Sequence, residues 1–431
     1  MAAAHNIEPG AWREGFDELM GRVAGRFSRV EPRRRAGAFL LGLLAGLPRV
    51  NCWTVAEHAG ESTPDGMQHL LARASWDEGG VRDDLRDYVV DHLGDLDAVL
   101  VVDETGDVKK GSATVGVQRQ YTGTAGRIEN AQVGVYLVYA GQHGHAFIDR
   151  ALYLPKSWTG DPDRMAEAGV PATVEFATKP ALARTMITRA LDAGVPARWV
   201  AGDEVYGADP QLRECLQQRG IGYVLAVASN HRVTTSTGTA TATALATELP
   251  SRAWHLRSCG AGAKGHRRYL WAWTEIDVDD ASGCHWLLIR RNPRTGELAY
   301  YRAYSPRPVT LAVLATVSGR RWTIEESFQT GKELTGLDEH QVRRWTSWHR
   351  WTVLAMLAHA FLAVTAARER TRAAPTPGLI ALTLNEIRRL LTRLLAHPAQ
   401  NLTHLLQWSL WRRRHQAVAR DCHYRRRERS P

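Results

Sequence analysis

The chain has 431 residues, room for two or three domains with buried cores at roughly 150 residues each. With 44% hydrophobic and 23% charged residues, it is neither a disordered nor a fibrous chain. Lys and Arg number 55 against 45 Asp and Glu, and the resulting net charge of +10 favours a polyanionic partner.

The charge excess is uneven, since residues 411–431 hold eight Arg and two acids. That tail reads either as a solvated, partly disordered basic end or as a segment lying along nucleic-acid phosphates. The five cysteines (Cys52, Cys215, Cys259, Cys284, Cys422) stand far apart without a C-x-x-C pair, so neither a disulfide framework nor a zinc module is expected. A reducing cytosol fits. The apolar run Ala36 to Pro48 is too short to span a bilayer and reads as a buried helix, so no membrane partner is expected.

In chain order, residues 1–95 read as a helical domain, with apolar positions at three- and four-residue spacing through Phe16, Met20, Val23 and Phe27 and again from Phe39 to Leu47. Within it, Thr54–Gly60 and Gly66–Arg73 form two short helices, with Thr63 as N-cap and Pro64 at the first helical position. This suits a DNA-reading helix-turn-helix and an ordinary helical pair alike. From Ala98 the texture changes. Ala98–Asp103 is a short β-branched run that ends in a carboxylate, followed by strands at Gln132–Ala140 and Ala146–Leu154. A helix over Pro180–Ala193, a second Asp-ended strand at Arg198–Asp203, a helix over Pro210–Arg219 and a strand at Gly222–Val227 complete an α/β-alternating stretch, 96–229. Residues 230–308 read as a β-rich insertion carrying His285–Ile289 and Leu298–Arg302. Helical periodicity returns at 309–366, running from about Val309 through Phe361. The break Ala373–Gly378 reads as a linker before a C-terminal helical segment, 379–431.

Phosphodiester chemistry without a covalent protein intermediate is usually driven by two divalent cations held by carboxylates. Three acids have suitable settings: Asp103 and Asp203 at strand ends, and Glu325 on a later helix. Arg321, Glu325 and Lys332 lie four and seven residues apart on one helical face, beside an apolar stripe of Ile324 and Phe328. A carboxylate between two bases suits a metal-bound phosphate; a surface i,i+4 ion pair explains it too. Lys109, Lys110, Arg119 and Arg127 follow the first Asp and line either a phosphate track or an exposed β-hairpin. Trp345, Trp348 and Trp351 are read as helix core with Arg at its margin. The glycine-rich Gly116–Gly126 lacks the Gly-Lys-Ser/Thr ending of a P-loop, so no nucleotide cofactor is expected.

Val99-Leu-Val-Val-Asp-Glu-Thr-Gly-Asp-Val-Lys-Lys-Gly111, with Gly116–Arg127, closely resembles the first-aspartate region of bacterial insertion-sequence transposases of the DDE superfamily. Trp199–Gly207 resembles their second-aspartate motif. Arg321-Trp-x-Ile-Glu-x-x-Phe with Lys332 is similar to the third-acid signature of the cut-and-paste branch with a Tyr-Arg-Glu-Lys pattern, and the likeness runs from about residue 30 to 425. There are departures. Ser318 stands where the family pattern has Tyr, and the Glu is doubled as Glu325-Glu326, of which spacing selects Glu325 because Glu326 points about 100° away around the helix. Glu104 and Asp107 rival Asp103, which is preferred because it ends its strand.

The resemblance implies an α/β fold: an RNase H-like five-stranded mixed sheet flanked by helices, with a β-rich insertion before the third-acid helix and a helical N-terminal domain. It also implies a metal-dependent DNA transposase whose catalytic acids Asp103, Asp203 and Glu325 hold two Mg²⁺ ions, with Mn²⁺ able to substitute. Double-stranded DNA would be contacted by Arg321, Lys332, Trp322 (as receiver of a flipped base), Lys109, Lys110 and Arg119, with a homodimer or higher oligomer in the synaptic complex and a cytoplasmic, nucleoid-associated location. A transposase-derived DNA-binding regulator and an RNase H-fold nuclease without strand transfer are the competing readings.

Overall fold

The structure, a computed structural model, describes residues 8–262, 265–277, 282–372, 380–394 and 402–429. The chain divides into two compact units, one built from residues 1–81 and 330–431 and the other from 82–329. The discontinuous unit begins with helices α1 (Pro9–Val23), α2 (Val30–Leu44), α3 (Cys52–His58) and α4 (Asp65–Ala72). Of the apolar positions read from the sequence, Phe16, Val23, Phe27, Phe39 and Leu43 are in the core, whereas Met20 is half-buried and Leu19 beside it is fully buried. Asn51 starts α3 with a capping box, accepting from the Thr54 amide while the Thr54 hydroxyl accepts from the Asn51 amide. The expected cap of α4 is displaced by one residue. Pro64, already in a helical conformation, occupies the cap position, and the Thr63 hydroxyl bonds the Asp65 carboxylate at 3.0 Å instead.

Helix α5 (Glu78–Leu93) carries the chain into the continuous unit, where β1 (Val99–Val108), β2 (Gln118–Thr122), β3 (Arg127–Ala140) and β4 (His145–Leu152) follow. After the short helices α6 (Lys156–Thr159) and α7 (Pro162–Glu167) come α8 (Lys179–Asp192), β5 (Trp199–Gly202), α9 (Glu204–Gly207), α10 (Pro210–Gln218) and β6 (Gly222–Val227). Strands in the order β4-β3-β1-β5-β6 make the RNase H-like mixed sheet, with β1 antiparallel to β3 and parallel to β5, and β5 parallel to β6. Two expectations change here. Asp103 does not end its strand, because β1 continues to Val108 paired with β3 after its parallel pairing with β5 stops at Val102↔Gly202. β2 carried no sequence signal: its polar residues alternate between exposed and half-buried, and pairing with β3 holds it in place.

Residues 230–308 supply the hairpin β7 (Arg232–Thr235) and β8 (Gly238–Thr241), helix α11 (Ala242–Glu248), and strands β9 (His255–Gly262), β10 (Gly265–Glu275), β11 (Cys284–Arg291) and β12 (Leu298–Ser305). The sheet is therefore not limited to five strands. β12 pairs with β6, and β11, β10 and β9 follow in order, so the insertion extends the core sheet to ten strands. The helical region after it is also divided, into α12 (Leu311–Arg320) and α13 (Trp322–Thr335). Gly319 sets the division: a Cβ there would stand 1.9 Å from the Cys259 carbonyl oxygen, so α12 lies backbone to backbone on β9 before the chain turns at Arg321. Phe328 of α13 then packs on the sheet through Tyr136 and Phe147, at 5.5 and 5.7 Å between ring centroids.

The first unit is completed by α14 (Trp345–Arg372), α15 (Leu384–Leu394) and α16 (Leu402–Arg429). Among the described residues α14 alone is long and apolar enough to cross a membrane, and its apolar stretch is wholly buried inside the protein. Trp348 and Trp351 are core, as expected, and the buried Arg350 lies over the Trp76 ring while donating to the Leu70 and Trp76 carbonyls. The linker expected at Ala373–Gly378 lies outside the described residues. The basic tail is not a disordered end. It is helical as far as Arg429, and its apolar side closes over α3: Trp408 is fully buried and bonds the Glu61 carbonyl, and Trp411 meets Trp53 edge-on at 4.7 Å.

Candidate active site

Parallel strands β1 and β5 are in register through Val102↔Gly202, so the next residues, Asp103 and Asp203, emerge side by side roughly 5 Å apart along the backbone. The carboxyl ends of adjacent parallel strands are where α/β sheets bind ligands. Asp203 also caps α9, accepting from the Val205 amide at 2.9 Å, and Asp103 accepts from the Glu104 amide at 2.8 Å. Burial, then the neighbouring Asp203 charge, pushes the Asp103 carboxyl up to about 7. Asp203 is raised as well, by burial and then by Glu104.

Arg321, at the junction of α12 and α13, lies between the first and third acids. Its Nη1 donates to Asp103 Oδ2 at 3.3 Å and its Nη2 to Glu325 Oε1 at 2.8 Å. The junction keeps helical backbone angles, so the i,i+4 spacing of Arg321 and Glu325 holds across the break. Glu326 turns elsewhere, to His145 at 3.4 Å, and that hydrogen bond lowers its pKa. Trp322 is 47% exposed beside Arg321, not packed into the core. Ser318, at the position of the family tyrosine, is buried on α12.

Glu104, the first rival, is held by partners the sequence did not reveal: Lys179 Nζ at 2.5 Å and the buried Tyr206 hydroxyl at 2.6 Å. Tyr206 follows Asp203 by one helical turn, which was a readable signal; Lys179 lies 75 residues from Glu104 in sequence and offered none. Asp107 sits farther along β1, opposite Gln132. Lys109, Lys110 and Arg119 are not gathered with the acids. Lys109 follows Asp103 by six extended residues, a reach of roughly 20 Å, and Arg119 is exposed on β2. Lys332 is on α13, seven residues past Glu325, where the chain has passed into the discontinuous unit.

Asp103 and Asp203 fit a divalent cation: they are two partly buried carboxylates, hard oxygen ligands, whose pKa values stay raised by burial and neighbouring acids even though Arg321 donates to Asp103. Glu325 does not join them as the structure stands. Among the described residues no group of three His, Cys, Asp or Glu side chains is arranged to hold a metal, and the Arg321 guanidinium bridges the first and third acids in the position a cation would neutralise.

The fold points to a class, and sequence comparison gives the same one. A family model described as DDE superfamily endonuclease matches residues 22–247, 226 of the 431, and one described as transposase DDE domain matches residues 175–361. The chain belongs to the DDE superfamily endonucleases. Among individual proteins it is similar to the probable transposase for insertion sequence element IS701 of Microchaete diplosiphon, with 28% identity over 196 residues, 45% of this chain and 48% of that protein. The matched region thus spans about half the length of that curated relative.

Proposed function

We propose that this chain is a DNA transposase that cleaves at insertion-sequence ends and transfers the freed 3′-hydroxyl to target DNA. The observation that carries this reading is the pairing of Asp103 and Asp203 just past the point where the parallel pairing of β1 and β5 stops, faced by Arg321 and Glu325 from the helix that follows a β-rich insertion. Family membership and the printed name of the relative support it.

Asp103, Asp203 and Glu325 would hold two divalent cations, Mg²⁺ or Mn²⁺, and the bound ions would supply activation of the attacking hydroxyl and stabilisation of the leaving oxygen. The chain's own residues do the rest. Arg321 carries a guanidinium already shared between two carboxylates, and a DNA phosphate offers it the same bidentate geometry. When Arg321 turns to phosphate, Glu325 is released toward the paired aspartates. Lys179 and Tyr206 keep Glu104 engaged beside Asp103, fixing the stretch of β1 that presents the first acid. The exposed Trp322 is placed to stack on an unpaired base next to that phosphate. Lys110 and Arg119 face solvent and, with Lys109, extend the contact along a duplex by roughly 20 Å, about six base pairs. The N-terminal helices α1 to α5 and the C-terminal helices would grip the element end, with two or more copies pairing the ends.

The test is incubation of the purified protein with Mg²⁺ and labelled DNA carrying the flanks of its own genomic locus, with Asp103→Asn as control. Metal-dependent cuts at one position, absent in the control, are expected. Specific binding without cuts favours a regulator instead, and cuts without joined products favour a nuclease.

A further inference from the structure

A cavity of about 550 Å³ lies in the discontinuous unit between the α3–α4 pair and the start of α14, and no acid is among its lining residues. Its floor is apolar, formed by Leu71 and Trp351, both buried, and Trp53 stands on its wall. Arg49, Arg343 and Arg344 line it from exposed positions. Among the described residues none of these three forms an ion pair, whereas in the same unit Arg35, Arg350, Arg368 and Arg412 are matched to Glu61, Glu78, Glu18 and Glu57. The nearby Glu339 does not answer them, since it accepts from the Val50 amide and is not part of the lining.

We propose that this cavity binds one unstacked nucleotide of a DNA strand, with the base against the half-buried Trp53 ring and the flanking phosphates on Arg49, Arg343 and Arg344. The volume is in the range of small-ligand sites. Guanidinium groups serve both parts of a nucleotide, pairing with phosphate through a fork of donors and stacking on the flat face of a base. A bare phosphate, or an acidic peptide, would satisfy the arginines and leave the accessible part of the Trp53 ring uncovered. The wall is also held ready: the Trp53 ring is pinned edge-on by Trp411 at 4.7 Å and by His415 at 4.8 Å, both from α16. No acid occupies the first turn of α14, so its amide end adds a favourable field for the phosphates.

The site rests on the proposed function only in taking DNA as the partner, and it can be tested where cleavage is silent. Full-length Asp103→Asn protein is titrated into an oligodeoxynucleotide of about ten thymidines carrying one central 2-aminopurine, whose fluorescence is quenched when the base stacks on an aromatic ring. Saturable quenching is expected. Arg343→Gln with Arg344→Gln should weaken binding about tenfold and reduce the slope of log affinity against log salt by about 1.4, as two lost phosphate contacts require. Arg49→Gln, fully at the surface, should reduce the slope by about half as much, so the inference does not depend on the double variant folding. Unchanged affinity and slope in both variants, or binding without quenching, would overturn the site. Thymidine monophosphate displacing the strand at equal concentration would overturn its assignment to a strand. Quenching with no cleavage by the wild type refutes the catalytic reading alone; cleavage with no quenching refutes this one alone.

Discussion

The Asp103 carboxyl gives the fold a pH-dependent weakness whose size follows from the structure. Burial and the Asp203 charge raise it from 3.8 to about 7, and its side chain is only 15% exposed, so solvent screens little of the effect. The sign is fixed by proton binding. Below pH 3.8 both folded and unfolded chains hold the proton and no stability is lost; between 3.8 and 7 the unfolded chain releases it while the folded chain does not, so stability falls as pH rises; above 7 the loss is complete. At about 1.4 kcal/mol for each pH step, the metal-free protein should lose about 3 kcal/mol between pH 5 and pH 8 through this one group. Asparagine has the same shape and does not titrate. Urea unfolding of wild type and Asp103→Asn in EDTA, followed by tryptophan fluorescence at pH 5 and pH 8, isolates the effect, because every other titrating group is common to both proteins. Asp203, raised first by its own burial and then by Glu104, contributes to each alike. The variant should gain about 3 kcal/mol on the wild type in going from pH 5 to pH 8. Equal pH dependence in the two proteins would refute the assignment of Asp103 as an acid whose burial and neighbouring Asp203 outweigh its contact with Arg321.

The same pair of acids should respond to cations. Mn²⁺ at a hundredfold excess over its dissociation constant should stabilise the wild type at pH 8 by about 2.7 kcal/mol, and a thermal shift of the same size in Asp203→Asn would count against the site. Removing the hydroxyl in Tyr206→Phe strips a buried donor from Glu104 and should cost about 1–3 kcal/mol in the same urea assay, whereas unchanged stability would mean that the 2.6 Å contact is not formed in solution.

Much of the continuous unit was legible in the sequence because its strands are short apolar runs and its helices carry Pro or Asp at their starts. Asp161, Thr178 and Asp209 each cap the helix they precede, with Pro at the first or second position. Where the reading stopped short, a local pattern lost to a long-range partner. The apolar run of β1 ends at Asp103, yet the strand continues for five residues because β3 supplies a complete antiparallel edge. β2 has no apolar alternation and exists through its pairing with the opposite edge of β3. The acids could be selected by their positions after strands and by spacing to Arg321, but the direction in which Arg321 turns could not. Periodicity places it on the same face as Glu325, and only the folded chain brings Asp103, 218 residues earlier, to its other side.

The clasp of α16 over α3 also governs the order in which this protein is made. Glu57 and Arg412, which pair across it, are 355 residues apart, and the whole of residues 82–329 is synthesised in between. Until α16 has left the ribosome, Trp53 lacks the Trp411 and His415 rings that pin it, and the Glu61 carbonyl lacks the Trp408 donor. The unit carrying the paired aspartates is therefore complete in sequence while the helical unit is still an open shell. A nascent chain acquires its acids before it acquires a finished surface around α3.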